Sequence, residues 1–194
     1  MNLPNKLTIV RLVIIPFFLV LMVVPLAWGT VTFLGATVPV AQLIATVLFI
    51  AATITDNLDG RIARRDHLVT NFGKFTDPLA DKLLVMTAFI VLTASHAVPA
   101  WVTCIIIWRE LSVTGLRLLI VEQNGQVLAA KMPGKIKTTT QFIAIIFLLL
   151  HNAIFAIWNI PFGEIMLYIC LFFTIYSGVD YFIQGRGVFA DGFK

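Results

Sequence analysis

Apolar residues run along this chain in three long charge-free stretches, 12–55, 83–108 and 138–163, with polar residues gathered into short clusters between them. Each stretch exceeds the roughly 20 residues that an α-helix needs to cross the hydrocarbon core of a bilayer. The first is long enough for two crossings, and Pro25, Gly29, Gly35 and Pro39 supply the turn chemistry to separate them. The pattern predicts six helices, over residues 7–27, 39–59, 77–95, 99–119, 137–157 and 162–184. The expected fold is all-α: a polytopic integral membrane protein with six transmembrane helices, in which residues 1–194 form one transmembrane catalytic domain. The first helix could be mistaken for a signal peptide. Arg11 lies within it and five further spans follow, so it is expected to remain in the protein.

Composition agrees with the pattern. Of the residues, 59% are hydrophobic and 12% charged, where a soluble domain carries about 25% charged residues. The charges that remain are placed unevenly. Lys6 and Arg11 open the first helix, and Arg61, Arg64, Arg65 and Lys74 fall between the second and third. Arg117, Lys131, Lys135 and Lys137 surround the fourth connection, while Arg186 and Lys194 follow the last helix. The connections near 28–38, 95–99 and 157–161 contain no Lys or Arg. The positive-inside rule therefore puts both termini and the two basic connections in the cytoplasm, in a multi-pass protein of the cell membrane. The net charge of +4 is explained by this topology, by anionic headgroups and by phosphate substrates, with no nucleic acid involved.

Against this background, four aspartates between Asp56 and Asp81 stand out. A carboxylate at membrane depth costs several kcal/mol unless it is neutralised. Asp56 and Asp59 are three apart, and Asp77 and Asp81 are four apart, so each pair shares a helix face. Two helices joined by a moderate loop can point both pairs at one another. Four oxygen donors suit hard cations such as Mg²⁺ or Mn²⁺, and two such ions would balance the charge and leave positions for phosphate oxygens. Gly60 and Gly73 remove side chains beside the carboxylates, Ala63 keeps the next turn thin, and Arg64 adds a fixed cation. Asp77 before Pro78, taken alone, reads as an ordinary N-cap and first helical residue. Asp56 alone reads as a helix-end carboxylate paired with Arg61 or Arg64. Neither reading accounts for the joint pattern.

The run Asp56-x2-Asp59-Gly60-x2-Ala63-Arg64-x8-Gly73-x3-Asp77-x3-Asp81 resembles the signature of the CDP-alcohol phosphotransferase family at all eight fixed positions. Asn57 and Arg61 stand where aromatics are frequent in relatives, at variable positions. The similarity extends to Asn2–Arg11, Val69–Phe75, Arg109–Arg117 and Gly134–Thr138, which look like the bacterial members that make phosphatidylglycerophosphate. The resemblance implies six transmembrane helices in a homodimer, with a divalent-metal pair, Mg²⁺ or Mn²⁺, on the CDP diphosphate. Carried over by position, Asp56, Asp59, Asp77 and Asp81 would ligate metal, and Asp81 would also act as general base. Asp56, Gly60, Ala63, Arg64 and Gly73 would form the CDP site.

Several residues outside the signature invite roles. Arg109 and Glu110 lie inside the fourth apolar segment, where ionisable residues face the bundle interior and are functional by default. As adjacent residues they are not expected to pair with each other. Glu110 and Arg117, seven apart, should line one stripe. Lys135 and Lys137 should open the fifth helix and diverge by about 200°, so that one binds substrate while the other snorkels to headgroups. Arg117, Lys135 and Lys137 would suit the phosphate of the acceptor, with Arg109, Thr8 and Arg11 as further candidates. Cys104 and Cys170 read as buried, inert thiols. Trp28, Trp101 and Trp158 read as an interfacial belt, and Trp108 as internal packing. His67, His96 and His151 receive no catalytic role.

The resulting expectation is an enzyme that transfers the phosphatidyl group of CDP-diacylglycerol to sn-glycerol 3-phosphate, releasing CMP at a cytoplasmic active site among membrane lipids. The nearest rivals change the acceptor, to phosphatidylglycerol in a cardiolipin synthase, to serine or to an inositol phosphate. A membrane prenyltransferase would lack the intervening Gly-x2-Ala-Arg. A divalent-cation transporter would place its ligands near mid-membrane rather than at one edge.

Overall fold

A computed structural model describes residues 3–65, 71–124 and 132–187, with side chains at 7–55, 76, 79–80, 82–120 and 132–187. Six α-helices occur in the expected order: α1 Leu3–Val23, α2 Val40–Arg65, α3 Asn71–Ala94, α4 Ala100–Asn124, α5 Met132–Leu149 and α6 Phe162–Gly185. A hairpin of β1 Thr30–Phe33 and β2 Ala36–Pro39 joins α1 to α2, and a short 3₁₀ turn, Phe155–Trp158, precedes α6. The all-α expectation holds for the helices and misses the hairpin. Its strands pair antiparallel with Phe33 opposite Ala36. Leu34 and Gly35 both take positive φ, 49° and 79°, which is the two-residue turn whose twist matches paired strands.

Helix ends differ from those expected, each for a local reason. α1 stops at Val23, just ahead of Pro25, which disfavours helical backbone at the residue before it. α2 runs six residues past the expected end at 59, because Arg61, Ala63, Arg64 and Arg65 are good helix formers despite their polarity. α3 begins six residues before the expected start at 77. Asp77 and Pro78 therefore lie in its second turn and do not cap it. α5 begins at Met132 instead of 137, with Pro133 and Gly134 in its first turn. It ends at Leu149 because His151, Asn152 and Ile154 adopt left-handed φ of 50°, 59° and 78°.

The chain clusters into two compact units, Met1–Ala97 with Ile146–Pro161, and Val98–Ile145 with Phe162–Lys194. In the first unit α1 packs against α2 and α3, and α2 against α3 and β2. Phe18 and Phe49, both fully buried, meet across α1 and α2 at 6.1 Å between ring centroids. The hairpin is pinned from below. Gln42 Nε2 donates to the Leu149 carbonyl at 2.9 Å, and His151 bonds the Thr37 carbonyl through Nδ1 at 2.8 Å. Ala36, Val38 and Ala153 form a small core beneath it. In the second unit α4 packs against α6.

Among the described residues, α6 alone is long and apolar enough to cross a bilayer by length and composition, while Leu7–Val23, Val40–Thr55 and Lys82–Ala94 are shorter apolar helices. Large apolar side chains line the outer faces, among them Phe17 and Val20 on α1 and Phe172, Ile175, Val179 and Ile183 on α6. An aqueous surface rarely tolerates apolar stripes of that length. Trp108, expected to pack internally, is 75% exposed and belongs to this outer face. Cys104 is likewise exposed, and of the two thiols only Cys170 is buried. Hydroxyl groups on the apolar helices are satisfied locally: Thr46, Thr53 and Thr93 each donate to the carbonyl four residues back.

Candidate functional site

The signature is carried by two successive helices in the first unit. α2 holds Asp56, Asp59, Gly60, Ala63 and Arg64 near its C-terminus, and α3 holds Gly73, Asp77 and Asp81 near its N-terminus. Because both helices extend beyond their expected limits, all eight fixed positions lie on helical backbone. Positions 56, 59, 60 and 63 recur at intervals of three and four, and 73, 77 and 81 at intervals of four, so each set forms one stripe of its helix. The side chains of these eight residues lie outside the described residues. Thr8 and Arg11 belong to the same unit, three apart on α1, at 0% and 1% exposure.

The second unit contains a polar cluster inside an otherwise apolar helix pair. Arg109 Nη2 donates to Ser177 Oγ on α6 at 2.8 Å, and Arg109 Nη1 donates to Glu110 Oε1 at 3.3 Å. The expectation that these neighbours would not pair is thus corrected. Adjacent Cβ atoms diverge, but the flexible arginine stem is long enough to curl its guanidinium back to the next residue's carboxylate. Lys137 Nζ, on α5, donates to the same Glu110 Oε1. Arg117 Nη2 donates to the Tyr181 hydroxyl on α6. Both guanidiniums lie near the Tyr181 ring, with Cζ 4.7 Å from its centroid for Arg117 and 5.7 Å for Arg109. Glu110 and Arg117, expected along one stripe, therefore hold different partners.

The two lysines separate as the helical divergence predicts. Lys137 is 5% exposed and ion-paired, whereas Lys135 is exposed. Arg109 and Lys137 both donate to the single carboxylate of Glu110, while Arg117 bonds the Tyr181 hydroxyl instead, so three cations and one carboxylate meet in this cluster among the described residues. Donors are in excess too. The Nε atoms of Arg109 and Arg117 and Nε2 of Gln141, one turn beyond Lys137, are buried with no partner among the described residues. Each such donor costs about 1–3 kcal/mol if nothing meets it. An oxygen-rich dianion answers both the charge and the donors.

Tyr181, Ser177 and Gln141 were not singled out by the sequence reading. A signal for the first two exists in α6, whose buried positions Thr174, Ser177, Gly178, Tyr181 and Gly185 recur at helical spacing in a segment otherwise dominated by large apolar residues. A groove of about 650 Å³ also runs along α4 and α6, bounded by Ile105, Trp108, Ser112, Val179 and Phe182 and touched by Arg109 and Arg186.

Comparison with known proteins identifies the family. Residues 1–176 match the CDP-alcohol phosphatidyltransferase family. A Bacillus subtilis protein named CDP-diacylglycerol–glycerol-3-phosphate 3-phosphatidyltransferase is 50% identical over 93% of this chain and 93% of its own. A Mycobacterium tuberculosis protein named probable phosphatidylglycerophosphate synthase is 38% identical over 93% of this chain and 79% of its own. A Salmonella typhimurium protein with the same name as the Bacillus one is 34% identical over 98% of both chains. With a match across most of its length and relatives this close, the chain belongs to the CDP-alcohol phosphatidyltransferase family.

Proposed function

We propose that this protein is a CDP-diacylglycerol–glycerol-3-phosphate 3-phosphatidyltransferase, making phosphatidylglycerophosphate and CMP in a bacterial membrane. The observation that carries this reading is the complete aspartate signature on α2 and α3 in a chain 50% identical to the Bacillus protein of that name. The family is membrane-bound. The whole chain would act as one catalytic domain with six membrane-crossing helices, both termini and the active site cytoplasmic, and two copies forming a homodimer.

The donor chemistry of Asp56, Asp59, Asp77 and Asp81 fits hard divalent cations, since all four offer carboxylate oxygens at helical spacing. Mg²⁺ or Mn²⁺ held there would supply charge stabilisation at the diphosphate. Gly60, Ala63 and Gly73 leave room for the nucleotide, and Arg64 offers it a cation. Asp81 would take the proton of the acceptor hydroxyl as that oxygen bonds to the phosphatidyl phosphorus and the phosphorus–oxygen bond to CMP breaks. Arg109, Arg117 and Lys137 would hold the acceptor phosphate, since cationic N–H donors suit a phosphomonoester dianion. Thr8 and Arg11 remain candidates for the same acceptor, and exposed Lys135 for the approach to it.

CMP release by the purified protein tests this directly. With CDP-diacylglycerol present, glycerol 3-phosphate should support turnover while glycerol, serine and phosphatidylglycerol should not. A chelator should abolish turnover, and Mg²⁺ or Mn²⁺ should restore it. Equal rates with phosphate-free glycerol would remove the acceptor assignment, and full activity after chelation would remove the metals.

A further inference from the structure

Arg109 and Arg117 carry the same charge and lie against one ring, so their mutual repulsion has to be offset for both guanidiniums to stay together before a ligand arrives. We propose that Tyr181 is a positioning residue for the acceptor-phosphate site, holding Arg109 and Arg117 as a preformed pair through the face and the hydroxyl of one ring. This rests on the reading that those arginines bind the acceptor phosphate.

Tyr181 is 4% exposed and wedged against Val113, Leu116 and Ile120 of α4. Its ring is therefore set by packing, independently of any ligand. The negative π-face attracts both guanidiniums, at 4.7 Å for Arg117 and 5.7 Å for Arg109. The hydroxyl accepts from Arg117 Nη2, which fixes the plane of that guanidinium as well as its position. Arg109 is held a second time, by Ser177 one turn back on the same helix. With both Nη2 atoms committed to α6, the Nε atoms remain buried and unmatched among the described residues. An arginine held at its tip by the protein, with other N–H groups free, can meet a phosphate without first giving up a rotamer-rich side chain's freedom. Preorganisation of this kind raises affinity by reducing the ordering cost on binding.

The acceptor KM reads the effect. Tyr181→Phe keeps the ring and its packing but removes the acceptor for Arg117, so the KM for glycerol 3-phosphate should rise about tenfold, the scale of one charged hydrogen bond. The KM for CDP-diacylglycerol and kcat at saturating acceptor should stay within about twofold, because a group that acts only on acceptor binding changes that KM and not kcat. In an Arg117→Ala background the same change should add nothing further, because the hydroxyl acts through Arg117. An unchanged acceptor KM in Tyr181→Phe, or a parallel rise for both substrates, overturns the inference, as would a full additive effect in the double variant. Arg117→Ala alone separates the two levels. If it leaves the acceptor KM unchanged, the phosphate-site reading fails. If it raises that KM while Tyr181→Phe does not, only the role of Tyr181 fails.

Discussion

At the scale of single residues, placement separated groups that chemistry alone had put together. Lys135 and Lys137 are the same side chain two positions apart, yet one is exposed and the other buried against Glu110. Removing Lys137 would leave the Glu110 carboxylate with only the 3.3 Å contact to Arg109 among its described partners. Breaking a fully buried pair costs about 3–5 kcal/mol; since Arg109 remains, Lys137→Met should destabilise by less, about 1–3 kcal/mol, and weaken acceptor binding. Lys135→Ala should stay within about 0.5 kcal/mol, as surface substitutions do. Thermal unfolding in detergent, alongside acceptor KM, checks the contrast; equal effects from the two lysines would refute it. The divergence of these lysines was legible from helical geometry. The Arg109–Glu110 contact was not, because spacing rules describe where Cβ atoms point and a long flexible stem can reverse that direction. Tyr181 escaped notice because an aromatic in an apolar helix looks like ordinary packing until its hydroxyl has a partner.

At the scale of elements, the closeness of α4 and α6 depends on small residues. A Cβ at Gly185 would lie 2.9 Å from Leu116 Cδ1 and 3.2 Å from Ile120 Cδ1, and one at Gly178 would lie 3.1 Å from Arg109 Cγ. Small residues let helix backbones approach in this way inside membranes, where packing replaces the hydrophobic effect between helices. Gly185→Leu should therefore force the helices apart and destabilise by about 1–3 kcal/mol. Gly115, on α4 with nothing within 4 Å of its would-be Cβ, should accept alanine with no loss and a gain of up to about 1 kcal/mol. A melting temperature that moves equally in both variants would show that the close approach is unimportant. The order and number of the helices could be read from the apolar stretches. Their ends could not: at residues 59 and 77 the sequence turns polar, which marks where chain meets water, and α2 and α3 continue through that boundary. The hairpin was hidden because it lies inside a charge-free stretch long enough for two helices, where the short alternation of Thr30, Val31, Thr32 and Phe33 is easily passed over.

At the scale of the whole molecule, family and chemistry were legible because eight fixed positions in one short run leave few alternatives, whereas the proposed acceptor site draws on residues far apart in sequence. The clasp on the hairpin brings out one more property of the chain. Gln42 and Thr37 are held by Leu149 and His151, more than a hundred residues later, and the unit they belong to is interrupted by residues 98–145. A ribosome delivers the chain in order, so the hairpin and α1 to α3 must wait while α4 and most of α5 are made. Contacts between distant residues form late and slow folding, and during that wait the hairpin has no lock. Its strands should therefore be open to attack by a protease. A chain stopped at residue 145 should be cut within 30–39 by added protease, while the full-length protein should resist. Equal resistance would mean that the hairpin is stable unassisted. If the expected difference appears, the timing of synthesis becomes part of how this enzyme is assembled: the last third of the message closes a door that the first third can only hang.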